Sequence, residues 1–182
     1  MAGLLAVGAY FPYILAILRR QTKPTKSTWI IWTVLSSLTA AGMYQAGALN
    51  AQIAIIAFGD FFVVALAFRW GVPGWSRLDI FCLSGAAIGI IGWAVTHNPV
   101  VAVLIGLSVT VIGSVPTIVK TWHRPDQEDL TAYSLMVGSC VVQIAAIPAW
   151  TITDAAQPIV FLGVAGTILL LILTRPRPQA EA

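Results

Sequence analysis

The residue best placed to do chemistry is Asp60, which stands inside the apolar run IAFGDFFVVALAF. A carboxyl in the middle of such a run costs several kcal/mol unless it is solvated, paired or protonated. No Lys or Arg falls in the interior of any apolar run, and Arg69 and Lys120 stand at run ends. Asp60 is therefore expected to face a wet cavity or to hold a proton. Its chemistry would be proton exchange, or hydrogen bonding to the polar groups of a solute. The structural alternative is a protonated carboxyl bonded to a neighbouring helix. Gln143 is the other polar side chain expected inside the molecule, bonded across helices or lining the same cavity. Ser36 and Cys140 are small polar residues whose first expected use is close helix packing, with solute contact as the functional alternative. Tyr10 and Tyr13 flank Pro12, where a hydroxyl could face a pore, and Trp32 lies deep in its run. An aromatic wall with a few polar groups suits a small polar ligand that has one apolar face.

Other chemistries find no residues. Two histidines on opposite faces and two cysteines do not make a metal cluster. Cys82 and Cys140 lie inside apolar runs and read as buried apolar residues, without a disulfide or redox role. A retinal-type Schiff base needs a lysine within the last helix, and Lys23, Lys26 and Lys120 all stand at the ends of apolar runs. A serine-protease pair is not supported. An intramembrane enzyme using Asp60 as an acid on a lipid or isoprenoid is the alternative, although the second acidic group such chemistry usually needs is not visible. The expectation is no enzyme, no metal and no cofactor.

The elements that must position these residues follow from composition. The 182 residues are 58% hydrophobic and 9% charged, with a mean hydropathy of +0.87. Soluble domains carry about 25% charged residues, so this chain has too few to cover a water-facing surface. Apolar runs of about 17–25 residues can span a bilayer as helices. Seven occur, at roughly 1–18, 27–48, 51–69, 78–96, 99–122, 130–152 and 157–174. The first lacks a basic leader and reads as a retained span. The connections RRQTKPTK, RWGVPGWSR, THNP, HRPDQED and TDAAQP are short, which makes 1–182 a single transmembrane domain.

Seven spans place all ten Lys and Arg on one side: Arg19, Arg20, Lys23, Lys26, Arg69, Arg77, Lys120, Arg124, Arg175 and Arg177. The positive-inside rule makes that side cytoplasmic, with the N-terminus outside and the C-terminus inside. Topology accounts for the net charge of +3, and no nucleic-acid partner is needed.

A repeat underlies the spans. Shifting the chain by 104 residues lays FPYILAILRRQTKPTKSTW over VPTIVKTWHRPDQEDLTAY. Pro12 then falls on Pro116, Arg20 on Arg124, Ser27 on Thr131, Trp29 on Tyr133 and Gly59 on Gly163. Asp60 falls on Val164, so a site built on it is asymmetric. Four spans separate the two units, which makes them parallel in the membrane. The expected architecture is 3+1+3: repeat one over 1–70, a linker helix over 77–97 and repeat two over 99–175. Parallel repeats about an axis along the membrane normal are a known transporter plan, with the site between the halves. A proline within a helix removes a backbone hydrogen bond and bends it. Pro12 and Pro116, about six residues from their helix ends, are candidate hinges. Trp29, Tyr133 and Tyr13 are candidate gate residues near the basic face.

On these features the chain resembles the PQ-loop superfamily, which includes the SWEET and SemiSWEET sugar transporters. The shared points are the three-one-three count, the late proline of helices 1 and 5, and charged loops opening onto STW and LTAYS. Pro12-Tyr13 and Pro116-Thr117 depart from the Pro-Gln dipeptide. TKPTKSTWIIW together with THNP is similar to a group of bacterial members, which implies a bacterial inner membrane. The resemblance implies alternating-access transport of a small polar solute such as a sugar, by facilitation or coupled to protons if Asp60 titrates. It also favours hinges at the prolines, implies solute contact at the depth of Asp60, and leaves room for a homo-oligomer. Because a sorting receptor belongs to the superfamily, a non-transporting receptor or scaffold is a further alternative.

The remaining polar residues have structural expectations. Asn50, His97 and Asn98 should cap or end helices, and Ser27 and Thr131 should cap the starts of helices 2 and 6. Asp126, Glu128 and Asp129 are expected to be solvated, with a latch to Arg19, Arg20, Lys23 or Lys26 as the alternative. Trp70, Trp75, Trp93, Trp122 and Trp150 read as interface anchors.

Overall fold

The computed structural model describes residues 1–45, 47, 49–96, 99–147 and 150–176. Among these residues the fold is all-helical. Seven α-helices follow in order: α1 (Ala2–Leu18), α2 (Lys26–Gln45), α3 (Ala51–Trp70), α4 (Arg77–Thr96), α5 (Pro99–His123), α6 (Leu130–Ala145) and α7 (Ile152–Thr174), with a 3-10 turn at Pro125–Gln127. Three helices are long and apolar enough to cross a membrane: α3, the Leu104–His123 part of α5, and Asp154–Thr174 of α7. With 17 and 16 residues, α1 and α6 are shorter apolar helices.

Local sequence sets the boundaries. Asn50 caps α3 by accepting from the Ile53 N–H at 3.0 Å, as expected. The starts of α6 and α2 differ from expectation. Asp129, one residue before α6, accepts from the Ala132 N–H at 2.7 Å, so Thr131 lies inside the helix. Ser27 lies inside α2 and donates instead to Asp79 at the start of α4. The α6–α7 boundary also differs. α6 stops at Ala145 and α7 begins at Ile152, because Thr151 caps it by accepting from the Asp154 N–H at 3.2 Å. Much of TDAAQP is thus helix, and Pro158 lies within its second turn. His97 and Asn98, and the side chain of Trp93, lie outside the described residues.

α1 ends in a Schellman arrangement. The Gln21 N–H donates to the Ala16 carbonyl and the Arg20 N–H to the Ile17 carbonyl, each at 2.9 Å. Arg20 takes the left-handed conformation, φ 59°, that this motif requires and that usually falls to glycine. The turn aims the following loop back over the bundle end. There the basic segments meet. The Lys23 N–H donates to the Gln127 carbonyl at 3.2 Å and the Val72 N–H to the Pro24 carbonyl at 3.0 Å. The Arg175 guanidinium lies on the Trp122 ring. The loops after α1, α3 and α5 and the end of α7 therefore share one end of the bundle, here the basic end.

The helix pairings have an internal symmetry. α3 packs against both α1 and α2, and α7 packs against both α5 and α6. Across the two triples, α1 packs on α6 and α5 packs on α2. Exchanging α1 with α5, α2 with α6 and α3 with α7 leaves this set unchanged. α4 has no counterpart and packs mainly on α5.

The exterior is apolar. Phe58, Phe61, Phe62 and Phe68 on α3, Phe81, Ile88 and Val95 on α4, and Leu170 and Leu173 on α7 are exposed. The interior holds Asp60, Gln52, Gln157, Ser114 and Ser139 as well as aliphatic side chains. That inversion suits hydrocarbon surroundings, since water-facing proteins rarely expose contiguous apolar surface on this scale.

Candidate functional site

A cavity of about 80 Å3 lies where the two triples meet. Several waters or part of a small solute fit such a volume, given about 10–15 Å3 per water position. Every helix but α4 contributes to its wall: Tyr10 and Tyr13 from α1, Trp29 and Trp32 from α2, Ile56 and Asp60 from α3, Thr110 from α5, Tyr133 and Met136 from α6, and Phe161 and Val164 from α7. Among the described residues Asp60 is the only carboxyl in that wall.

Asp60 is the tenth residue of α3 and only 2% exposed. The Tyr10 hydroxyl donates to its Oδ1 at 2.5 Å, and the Ile56 carbonyl lies 3.2 Å from the same hydroxyl. The Ser36 hydroxyl, buried on α2, donates to the Thr33 carbonyl at 3.3 Å. Gly59 makes the pairing of Tyr10 with Asp60 possible. A Cβ at this position would come within 2.5 Å of the Tyr10 ring. Gly59→Ala is accordingly expected to push the ring off Asp60 and to destabilise the fold by about 1–3 kcal/mol. Unfolding midpoints in detergent check this, and Gly59→Ala combined with Tyr10→Ala should recover part of the loss.

Toward the basic end the cavity wall is built of aromatic rings in contact. Tyr13 and Trp29 have centroids 5.2 Å apart, Tyr13 meets Tyr133 edge-on at 6.1 Å, and Trp29 meets Trp32 edge-on at 5.0 Å. The Trp32 indole N–H donates to Ser114 on α5 at 3.2 Å, which fixes the ring across the junction of the triples. The Tyr13 hydroxyl points the other way and donates to Glu128 Oε2 at 2.9 Å.

Glu128 is buried and forms an ion pair with Lys120. The Lys120 ammonium also donates to the Lys23 carbonyl at 2.5 Å. This arrangement corrects two expectations about the acidic cluster. Glu128 is not solvated, and its partner is Lys120 of α5, not a cation of the first loop. That loop contributes a carbonyl oxygen. Asp126 pairs locally with Arg124 at 3.1 Å. Burial pushes the Glu128 carboxyl above its ordinary value, with Lys120 and Tyr13 opposing the rise.

The candidate residues divide clearly by position. Asp60, Tyr10, Tyr13, Trp29, Trp32 and Tyr133 line the cavity together. Ser36 is buried on α2 and is not part of the wall. Cys140 is fully buried outside the cavity wall, 3.7 Å from the Gln52 amide nitrogen. Gln143 is only partly buried and is not part of the wall. Pro12 and Pro116 lie inside continuous helices, adjacent to Tyr13 and Thr117. Among the described residues the buried glutamines are Gln52 and Gln157 instead. A spacing argument finds the first: Gln52, Ile56 and Asp60 fall four apart on one face of α3. Gln157 looked like a loop residue because Pro158 follows it. Thr110 and Phe161 also line the cavity without a chemical signal of their own.

No protein-family model, curated protein or solved structure matches this chain. Function must therefore be argued from the site.

Proposed function

We propose that the chain is an integral membrane carrier that moves a small polar solute, such as a sugar, by alternating access. In this reading all seven helices span the bilayer as two parallel three-helix units joined by α4, as in the PQ-loop transporters that the sequence resembles. The basic end is cytoplasmic. The observation that carries the proposal is the cavity with one buried carboxyl at the junction of two helix triples whose pairings are symmetric. A site shared by two similar bodies can open to either side by rocking one against the other.

The side chains suggest how. The rings of Tyr13, Trp29 and Tyr133 and the Lys120–Glu128 pair close the cytoplasmic side. Pro12 immediately precedes Tyr13, and Pro116 lies one turn before Lys120. Bending at the two prolines would move both halves of that closure. Trp and Tyr faces would stack on the apolar side of the solute, and Asp60 would take its hydroxyls or carry a coupled proton.

Uptake of labelled neutral solutes into proteoliposomes, with and without a proton gradient, tests the reading. In the same assay Pro12→Ala/Pro116→Ala should retain or gain thermal stability, because proline is about 3 kcal/mol worse than alanine inside a helix. Its uptake should fall at least tenfold. Undiminished uptake removes the hinge role, and no uptake of any solute by the wild type removes the carrier.

A further inference from the structure

Gln157 is completely buried, yet neither its amide oxygen nor its amide nitrogen has a hydrogen-bond partner among the described residues. Gln52 is also completely buried. Its amide nitrogen donates to Ser139 at 2.8 Å, Ser139 donates to the Ala2 carbonyl at 2.8 Å, and its amide oxygen is left without a partner. A buried amide group without a partner costs about 1–3 kcal/mol, so two such residues in one small fold require a reason.

Their placement supplies one. Gln52 precedes the cavity-lining Ile56 and Asp60 by four and eight residues on α3. Gln157 precedes the cavity-lining Phe161 and Val164 by four and seven on α7. Residues at these spacings share a helix face. Both glutamines therefore continue the cavity-facing stripes of the symmetry-related helices α3 and α7. Both lie one turn beyond the wall, about 10–12 Å from the level of Asp60, on the side away from the basic end. Ala2 and Ser139, to which Gln52 is tied, mark that same end.

We propose that Gln52 and Gln157 form a second polar subsite beyond the cavity wall, on the side away from the basic end. It takes a neutral solute through adjacent hydrogen-bond donor and acceptor groups, as in a vicinal diol. The free capacity is one acceptor on Gln52 and a donor–acceptor pair on Gln157, with no charged side chain among the residues bonded to either amide. A side-chain amide matches two neighbouring hydroxyls, one donating and one accepting. The nearest charge along α7 is Asp154, three residues before Gln157, and its carboxylate is bonded by the Thr151 hydroxyl at 2.5 Å. The inference rests on the carrier reading, with this subsite on the extracytoplasmic side of Asp60.

The test uses the full chain in proteoliposomes, with radiolabelled glucose, ribose and erythritol as probes. Gln157→Leu should unfold at a temperature equal to or above the wild type, since it removes unpaired buried polar atoms. Its KM for the best-transported probe should rise at least tenfold, with kcat changed less. Gln157→Asn, which withdraws the amide by one methylene, should show the same KM effect in smaller measure and stands in if the leucine variant does not fold. A Gln157→Leu protein that is clearly less stable, with KM within twofold of wild type, overturns the subsite and makes the amide structural. Wild-type uptake with a normal KM in both variants overturns the subsite alone. Wild type that takes up none of the probes overturns the carrier reading for neutral solutes and the subsite with it.

Discussion

Asp60→Ala is expected to lower solute uptake by roughly ten- to a hundredfold while leaving the protein folded. A hydrogen bond to a charged group contributes about 1.5–3 kcal/mol, and each 1.4 kcal/mol is a factor of ten. The fold should survive because the group left behind keeps a partner: the Tyr10 hydroxyl lies 3.2 Å from the Ile56 carbonyl. The same geometry gives Asp60 two satisfied states. As a carboxylate it accepts from Tyr10 at 2.5 Å, a distance typical of a charge-assisted bond. Once protonated it can donate to Tyr10, which then donates to the free lone pair of the Ile56 carbonyl. Tyr10 thus accommodates either protonation state without leaving a buried polar atom unpaired.

Asp60→Asn separates the two roles open to the carboxyl. If Asp60 carries a coupled proton, the asparagine protein should still exchange solute downhill but lose accumulation driven by a proton gradient. If Asp60 is only a ligand, KM should rise and the gradient dependence should not change. Uptake by both variants at the wild-type rate and with wild-type gradient dependence would remove Asp60 from the mechanism.

How much of this was legible in the sequence depends on the kind of signal. The bounds of α1, α3, α4 and α5 could be read to within a residue or two, because charges, asparagines and a proline punctuate long apolar runs there. The α6–α7 boundary could not, because Pro158 suggests a loop while Thr151 and Asp154 build a helix start ahead of it. Asp60 announces itself by the cost of a carboxyl in an apolar run. Tyr10 does not announce its partner: that contact depends on Gly59 leaving room for a ring from another helix. Glu128 was hidden for a different reason. In the sequence it belongs to a run of acidic residues that ordinarily faces water, and only the return of the loop onto α5 buries it beside Lys120. Gln157 shows the same limit, since its burial follows from where α7 begins.

The Lys120–Glu128 pair leads to the second large effect. Lys120→Met is expected to destabilise the protein by about 3–5 kcal/mol, because it strands a buried carboxylate without its counter-charge. Glu128→Gln should cost less, since the Gln carbonyl can still accept from Tyr13 and the ammonium keeps the Lys23 carbonyl. The double variant Lys120→Met/Glu128→Gln should recover most of the loss. The reason is that burial already pushes the Glu128 carboxyl upward against the pull of Lys120 and Tyr13. The use of the pair lies in location: it ties the end of α5 to Tyr13 of α1 across the basic end of the cavity. Unfolding midpoints for the three variants give the coupling energy as a double-mutant cycle. A double variant as unstable as Lys120→Met alone would show that the two side chains act independently. Under the carrier reading, a stable double variant should also hold its cytoplasmic side open more often, so Tyr13→Cys placed in it should react faster with a membrane-impermeant thiol reagent from the basic end than Tyr13→Cys in the wild-type background.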